Sequence, residues 1–510
     1  MKKFYSTLLF TLLFSLGAFA QGAAEGLLYS TNHYEGTART MALGNAFTAL
    51  GGDIGAITIN PASSGVFRYS QLTVSPSFIS SRGVTDYLGV NSKEAATRLA
   101  LSNLGYVGSF DTGNYRGLLN YNIGVTLNRT NSFNTIMRAN GTTSASSKLG
   151  NIASGLKGIN SADLESSSGY DPYENNDLYW GEILAWNTYL IANVPGTKDQ
   201  YLGSTENIYG NDIEVGGPLN QDYYKKTTGG VQEFTFNFGG NISDVVYFGV
   251  NLNIASLYYE SEEYYSETAE RTSDFQDGFV HFRSPYWQTS TGTGFSMKFG
   301  VIANPVAGLR IGATFTTPTW YEMSDNWQLG MESSFSNNNS YTKYSPTGVY
   351  DYRITTPMRW SVGAAYTIGK VALISADYEN VDYSTIKMAD ANGNKVPFSD
   401  VNDQIRRNFI SSDIFRLGAE INILHSLSIR GGYNHYGTPG DNYPAIRYVT
   451  GGLGFKLGYR GKTNLDIAYQ RMLNNSESFS LYGDYDGIAA PTGDYTYRNN
   501  KFVITLGIKF

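Results

Sequence analysis

Lys298, Arg310 and Arg359 hold the same parity in three consecutive segments of alternating apolar and polar residues, so strand geometry points all three side chains to one face, where no acidic residue alternates among them. Cations placed this way can receive a carboxylate, since a buried anion without a partner is too costly to carry. Their structural use would be pairing with carboxylates of the protein itself, such as Asp53. Residues suited to catalysis are scarcer. His33, His281, His425 and His435 are scattered, with no HExxH and no pairing at metal spacing. Without cysteine there is no thiolate metal site, disulfide or cysteine nucleophile. Gly451-Gly452-Leu453-Gly454 lies within a strand pattern, away from any strand-to-helix turn that would cradle phosphate. Asp390-Ala391-Asn392-Gly393-Asn394 starts like a calcium loop but lacks the glycine and glutamate that would complete one, and reads as a turn. Asp377, Glu379, Arg416, Glu420, Arg430, Lys456 and Asp466 fall on one face as a salt-linked wetted lining, not an active site. No enzyme, cofactor or metal is implied.

The elements that position these residues are strands. Only 16% of residues are charged, with 57 glycines and 40 tyrosines, which excludes charged helices and solvating tails. A net charge of -7 lacks the footprint of a nucleic-acid binder. Beyond the first twenty residues no apolar run reaches the ~18 residues of a helical span. Alternation recurs instead. Ile123, Val125 and Leu127 alternate with Asn122, Thr126 and Asn128, Phe234, Phe236 and Phe238 with Thr235 and Asn237, and Phe415, Leu417 and Ile421 with Arg416 and Glu420. The spacing predicts fourteen strands near 71-80, 103-111, 117-129, 231-241, 245-258, 289-303, 308-330, 350-367, 371-384, 412-424, 427-437, 446-459, 462-474 and 497-510. Tight turns alternate with long polar connections, and the last strand ends on Phe510, all consistent with an all-β transmembrane antiparallel barrel. Arginine at outward Ile421 should then cost ~2 to 4 kcal/mol, while Glu420→Gln on the lumen side should be tolerated.

Residues 1-20 read as a signal peptide, with Lys2 and Lys3, an apolar Phe4 to Leu16 and Ala18-Phe19-Ala20. Residues 21-69 do not alternate. Leu43, Phe47 and Leu50 follow helical spacing from Ala38 to Leu50, ended by Gly51-Gly52, and Asn60-Pro61-Ala62 reads as a capped turn. So apolar a segment ahead of a barrel, 70-510, is expected to plug its lumen. The expected location is the outer membrane of a Gram-negative-type bacterium, with both termini periplasmic.

Gly36-Thr37-Ala38-Arg39 through Gly44 and Ala46, then Gly51-Gly52-Asp53 and Asn60-Pro61-Ala62, resemble the N-terminal hatch of the FadL-type outer-membrane transporters of long-chain fatty acids and aromatic hydrocarbons. Thr356-Pro357-Met358-Arg359-Trp360, Ala376-Asp377-Tyr378-Glu379 and Ile429-Arg430-Gly431-Gly432-Tyr433 extend the resemblance. It implies a fourteen-stranded barrel plugged by its hatch, which takes a hydrophobic molecule from outside and releases it sideways through a gap beside the third strand. The sequence departs from that pattern in two places. Val125 to Thr130 carries no glycine or proline to kink the third strand, and the loop near 131-230 is far longer than usual.

In that loop Leu178 to Ala192 is expected to be an amphipathic helix, whose Trp180, Ile183 and Trp186 either pack as a satellite core or wall an external hydrophobic groove. With Phe47 and Leu50 of the hatch, they complete the expected ligand-binding set. The expected function is passive uptake of small hydrophobic molecules, with fatty acid and outer-membrane lipid as partners. A PorV-like barrel that serves protein secretion or surface attachment, with a secreted protein as partner, is the alternative.

Overall fold

The computed structural model describes residues 22-510 other than 211, 370, 425, 442, 459-461 and 474, so the signal segment lies outside the described residues. Fourteen wall strands form one antiparallel ring. They are β1 (Gln71–Tyr87), β2 (Val90–Asp111), β3 (Leu118–Ser132, continued by Thr135–Thr143), β4 (Leu219–Ile242), β5 (Val246–Ala269), β6 (Phe279–Val306) and β7 (Leu309–Thr316, continued by Trp320–Phe335). After these come β8 (Gly348–Thr355, continued by Arg359–Ile368), β9 (Ala372–Asp382, continued by Lys387–Asp390), β10 (Ser411–Leu424), β11 (Leu427–Tyr436), β12 (Ile446–Leu457), β13 (Thr463–Met472, continued by Asn475–Ser480) and β14 (Thr492–Lys509). The ring closes because β1 pairs with β2 on one edge and β14 on the other.

Count and order agree with the alternation, but the strands are longer than it suggests. β5 runs 24 residues, about 80 Å of chain at strand rise, far beyond an apolar band of ~25 Å. The excess stands on the long-loop side, where polar residues replace lipid-facing ones and the apolar signal fades. The long loop is accordingly shorter than 131-230, since 135-143 and 219-230 are strand.

The outward positions are apolar and the inward ones polar. Phe236, Leu252, Ile421 and Leu506 are exposed, while Asn237, Asn251, Glu420 and Thr505 are buried. The tolerance expected of Glu420→Gln does not survive. Glu420 accepts from Arg39 at 3.1 Å and Arg430 at 2.6 Å, so a neutral amide would leave two guanidinium groups short of countercharge. Both Ile421→Arg and Glu420→Gln should therefore destabilise the barrel in lipid, and urea titration of the refolded variants checks this; a Glu420→Gln midpoint equal to wild type would contradict the contact.

Residues 22-69 lie against inward faces all round the ring. Helix α1 (Ala23–Ser30) meets Ile386, Met388 and Ile405 at the long-loop end. The described N-terminus is thus at the opposite end from Phe510, whose amide bonds Ser70 beside the short turns. This corrects the expectation of both termini on one side, and the reason is burial of Leu27 and Tyr29 among the loops. Helix α2 (Ala38–Ala42) packs on β12 and β13. The expected helix to Leu50 stops at Ala42 because Gly44 and Asn45 turn left-handed, with φ of 61° and 55°. Gly44 also approaches the backbone of Leu417 and Tyr433 too closely for any side chain. Asn60 caps the turn Pro61–Val66 by accepting from the Ala62 amide at 3.0 Å, as Asn-Pro predicts.

Candidate functional site

The inward charges of β6 to β10 converge on Tyr34 of the N-terminal segment. Glu379 pairs with Arg359 at 3.0 Å and Arg416 at 2.8 Å. The Arg416 guanidinium, fully buried, lies 5.5 Å from the Tyr34 ring and 5.7 Å from the Tyr436 ring. Lys298 donates to the Tyr34 hydroxyl at 3.0 Å and to the Thr58 carbonyl, and Arg359 also donates to the Ser30 carbonyl at 2.6 Å. Register places Lys298 and Arg359 in one row across Thr316. Arg310 is not part of this cluster. It lies six residues from Thr316 along β7, roughly 20 Å, and donates to the Leu50 carbonyl. The three cations proposed to await a ligand carboxylate therefore hold backbone carbonyls of the N-terminal segment, partners that no side-chain pattern reveals. Arg416, absent from that set, is the most deeply buried of the cluster.

The apolar candidates divide similarly. Phe47 and Leu50 are buried with Tyr34, Leu43 and Ile59 in the core of the N-terminal segment, and Gly51 supplies the positive φ of 65° that turns the chain after Leu50. In the long loop, α3 (Lys148–Gly155) and α4 (Trp180–Asn187) pack with the tops of β1, β3 to β7, β13 and β14. The expected helix to Ala192 ends at Asn187, because Tyr189 turns left-handed at φ 57° and Ile191–Asn193 forms a short strand. Ile183 is fully buried, so it belongs to this satellite core and lines no open groove. Trp180 stacks on Trp327 at 5.8 Å, and Trp186 meets Tyr201 edge-on at 6.0 Å, both half-buried.

Two carboxyls in this lobe are strained by burial. Desolvation pushes Glu182 and Glu206 each up to about 7, against hydrogen bonds from the Tyr179 and Gly203 amides that favour ionisation. Between about 4.5 and 7 the packed lobe binds more protons than an undocked one, so its stability falls as pH rises through that window and levels off above it. Limited proteolysis of 144-218 should be slower at pH 5 than at pH 8, with Glu206→Gln flattening the difference. Equal rates for the wild type at both pH values would contradict the assignment.

Among the described residues, the interstrand pairing of the wall is interrupted between β2 and β3. Pairing of β2 with β3 ends at Asn103 and Asn128. Above that level β2 stays on β1 through Val90, while β3 breaks at Phe133-Asn134 opposite Gly229-Gly230 and follows β4 alone. Its continuation passes inside β1. Its free-edge carbonyls are satisfied there by hydroxyls: Asn134 by Ser81 at 3.0 Å, Ile136 by Tyr495 at 3.0 Å, and Arg138 by Thr85. The inner face of β2 laps over it, with Ser92 bonded to Asn140 at 2.9 Å and Glu94 3.8 Å from Arg138. At Gly83 the strands cross so closely that a Cβ would overlap the Ile136 carbonyl. The third strand therefore turns inward at Phe133-Asn134 with no glycine or proline at the turn, using Gly83 of β1, hydroxyls on β1 and β14 and glycines on β4. Val125 to Thr130 itself carries no residue that marks this device.

No family model and no curated protein sequence matches the chain. Solved structures do. The toluene transporter TodX of Pseudomonas putida superposes with a TM-score of 0.53 at 11% identity, over 94% of this chain and 99% of that one. A FadL homologue of Pseudomonas aeruginosa gives 0.53 at 11%, over 94% and 100%. The fold is that of the FadL-type barrels. The Ralstonia pickettii toluene transporter TbuX, at 0.50 and 13% identity over 94% and 98%, matches the same FadL-type ring.

Proposed function

We propose that this protein is an outer-membrane channel for passive uptake of small hydrophobic molecules, fatty acids or aromatic hydrocarbons, with residues 22-69 as its hatch. The observation that carries the reading is the opening between β2 and β3, beside which the N-terminal segment is fastened: the His33 and Glu35 amides bond the Thr130 and Arg129 carbonyls of β3 at 2.6 and 3.1 Å. A hydrophobic molecule gains ~25 cal/mol for each Å² withdrawn from water. It would pass the aromatic lobe, reach the hatch and leave sideways into the membrane, without crossing the polar lining of Asn120, Asn122, Asn237 and Asn251 below. Lys298, Arg359 and Arg416 are the cations such a route offers an acid group when hatch carbonyls withdraw. The solved neighbours bearing this fold include two toluene transporters, which favours the small-molecule reading.

Gly83→Val tests it. The strand backbone accepts valine, but the crossing of β3 inside β1 does not. Proteoliposomes of the variant should take up labelled toluene and a long-chain fatty acid no faster than protein-free vesicles, while the purified barrel remains heat-modifiable. Wild-type uptake by a folded Gly83→Val barrel would remove the lateral route.

A further inference from the structure

The outer surface of the barrel carries an unbalanced patch of positive charge on β12, β13, β14, β1 and β2. Arg82 and Arg498 stand directly opposite each other on adjacent strands. Both project outward, by alternation with buried Ser81, Gly83 and Lys501. Register carries the same row across Leu473 to Arg447, whose carbonyl bonds the Leu473 amide at 2.8 Å. Arg471 lies one step below, paired across to Val449, and Lys93 one step above, paired to Val84. Among the described residues no salt bridge or side-chain hydrogen bond involves Arg82, Arg447, Arg471 or Arg498.

Like charges placed directly opposite on neighbouring strands repel. Elsewhere on the wall two outward arginines are paired, Arg138 with Asp222 at 3.0 Å and Arg353 with Glu322 at 3.6 Å. The outward carboxylates nearest the arginines, Asp86 and Asp494, face one another four residues beyond Arg82 and Arg498, roughly 13 Å away, and two residues beyond the row of Lys93, roughly 7 Å. The height of the patch is equally specific. Immediately below it Phe78 and Phe502 meet at 6.5 Å beside exposed Tyr469 and Leu99, and beneath them the outward face is apolar through Val74, Leu506 and Leu72. Aromatic rings of this kind mark the edge of the hydrocarbon layer.

We propose that this patch binds the phosphate groups of an anionic lipid in the leaflet on the long-loop side, with Arg82 and Arg498 forking one phosphate and Arg471 and Arg447 reaching a second. Guanidinium groups match phosphate oxygens two at a time. Four arginines without an anion among them are neutralised by such a headgroup, while its acyl chains lie on the Phe78 and Phe502 surface. The patch adjoins the free stretch of β2, so the lipid would stand at the margin of the wall opening. The assignment rests on the barrel lying in an outer membrane with its long loops outside, but its test needs no transport.

The full-length mature protein is titrated in detergent with doubly phosphorylated lipid A, with the same lipid dephosphorylated, and with inorganic phosphate. Arg82→Gln with Arg471→Gln and Arg498→Gln should weaken binding of the phosphorylated lipid about tenfold or more and leave the dephosphorylated lipid unchanged. Lys343→Gln with Arg353→Gln, outward cations elsewhere on the wall, should bind as wild type. Wild-type affinity in the triple variant overturns the proposal, as does an equal loss in the control pair. Competition by inorganic phosphate at lipid-like concentrations would show a free-ion site and overturn it too. If the triple variant does not assemble, Arg82→Gln and Arg498→Gln singly give the same reading. Wild-type uptake by the Gly83→Val protein, which would remove the lateral route, would leave this result untouched.

Discussion

Replacing Glu379 by alanine should cost about 3 to 5 kcal/mol of barrel stability, the loss expected when one member of a buried ionic cluster is removed. Glu379 is 4% exposed and is the only carboxylate that ion-pairs with Arg359 or Arg416 among the described residues. Its removal strands two guanidinium groups in the lumen, one of them with no exposure at all. Asp377, opposite Arg416 in register, offsets only part of the loss, since it forms no ion pair with either arginine and one of its oxygens accepts from the Thr48 amide at 2.8 Å. The surface pair Arg353 and Glu322, with side chains 47% and 80% exposed, supplies the contrast. Glu322→Ala should cost under about 1 kcal/mol. Urea unfolding of the two variants in lipid vesicles measures the difference, and a Glu379→Ala midpoint within error of Glu322→Ala would show that the cluster does not hold the hatch. Replacing Glu379, Arg359 and Arg416 together by leucine and methionines should recover much of the loss, because the desolvation cost leaves with the charges.

The wall of this protein was legible in its sequence because alternation is a local property. Phe234-Thr235-Phe236-Asn237-Phe238 can face lipid and lumen in only one way. The interior was less legible. Helical spacing from Leu43 to Leu50 implied a helix, but Gly44 and Asn45 turn left-handed, Gly44 against wall backbone it touches only after folding and Asn45 with its amide on the Tyr34 carbonyl. Tyr189 stops α4 in the same manner, without a glycine to announce it. Lys298, Arg310 and Arg359 were rightly placed on the inner face. Arg359 pairs with Glu379 and Lys298 with the Tyr34 hydroxyl, but each of the three also holds a main-chain oxygen, of Thr58, Leu50 or Ser30, and a main-chain oxygen has no residue type to read. The inward turn of β3 was hidden for a related reason. Its cause is Ser81, Gly83 and Thr85 on a strand fifty residues earlier, each unremarkable alone.

Deleting residues 22-66 should convert a non-conducting protein into an open pore, whereas replacing 145-217 by a short Gly-Ser linker should not. Both segments obstruct the lumen, but not equally. The loop lobe packs on the mouth along β13, β14, β1 and β3 to β7, leaving the tops of β8 to β12 to α1 and α5 (Ser399–Asn408). The N-terminal segment bonds inward residues on both sides of the ring: Ala38 to Thr505 of β14 at 2.7 Å, Ala42 to Thr450 of β12 at 2.9 Å, Thr48 to Asp377 of β9 at 2.8 Å, Pro61 to Asn237 of β4 at 3.1 Å and Ile57 to Asn251 of β5 at 2.8 Å. Removing it clears the shaft and takes α1 from beneath α5, opening the side that the lobe does not cover. Barrel assembly should survive, because the interstrand ladder does not pass through residues 22-66, although Arg310, Lys298 and Arg359 lose carbonyl partners and must be hydrated by the water that enters. Single-channel recording in planar bilayers, with swelling of vesicles in small sugars as a second readout, separates the outcomes. A silent, heat-modifiable deletion protein would mean that the lobe is the plug, and conductance in the lobe replacement alone would mean that the N-terminal segment leaves the shaft open.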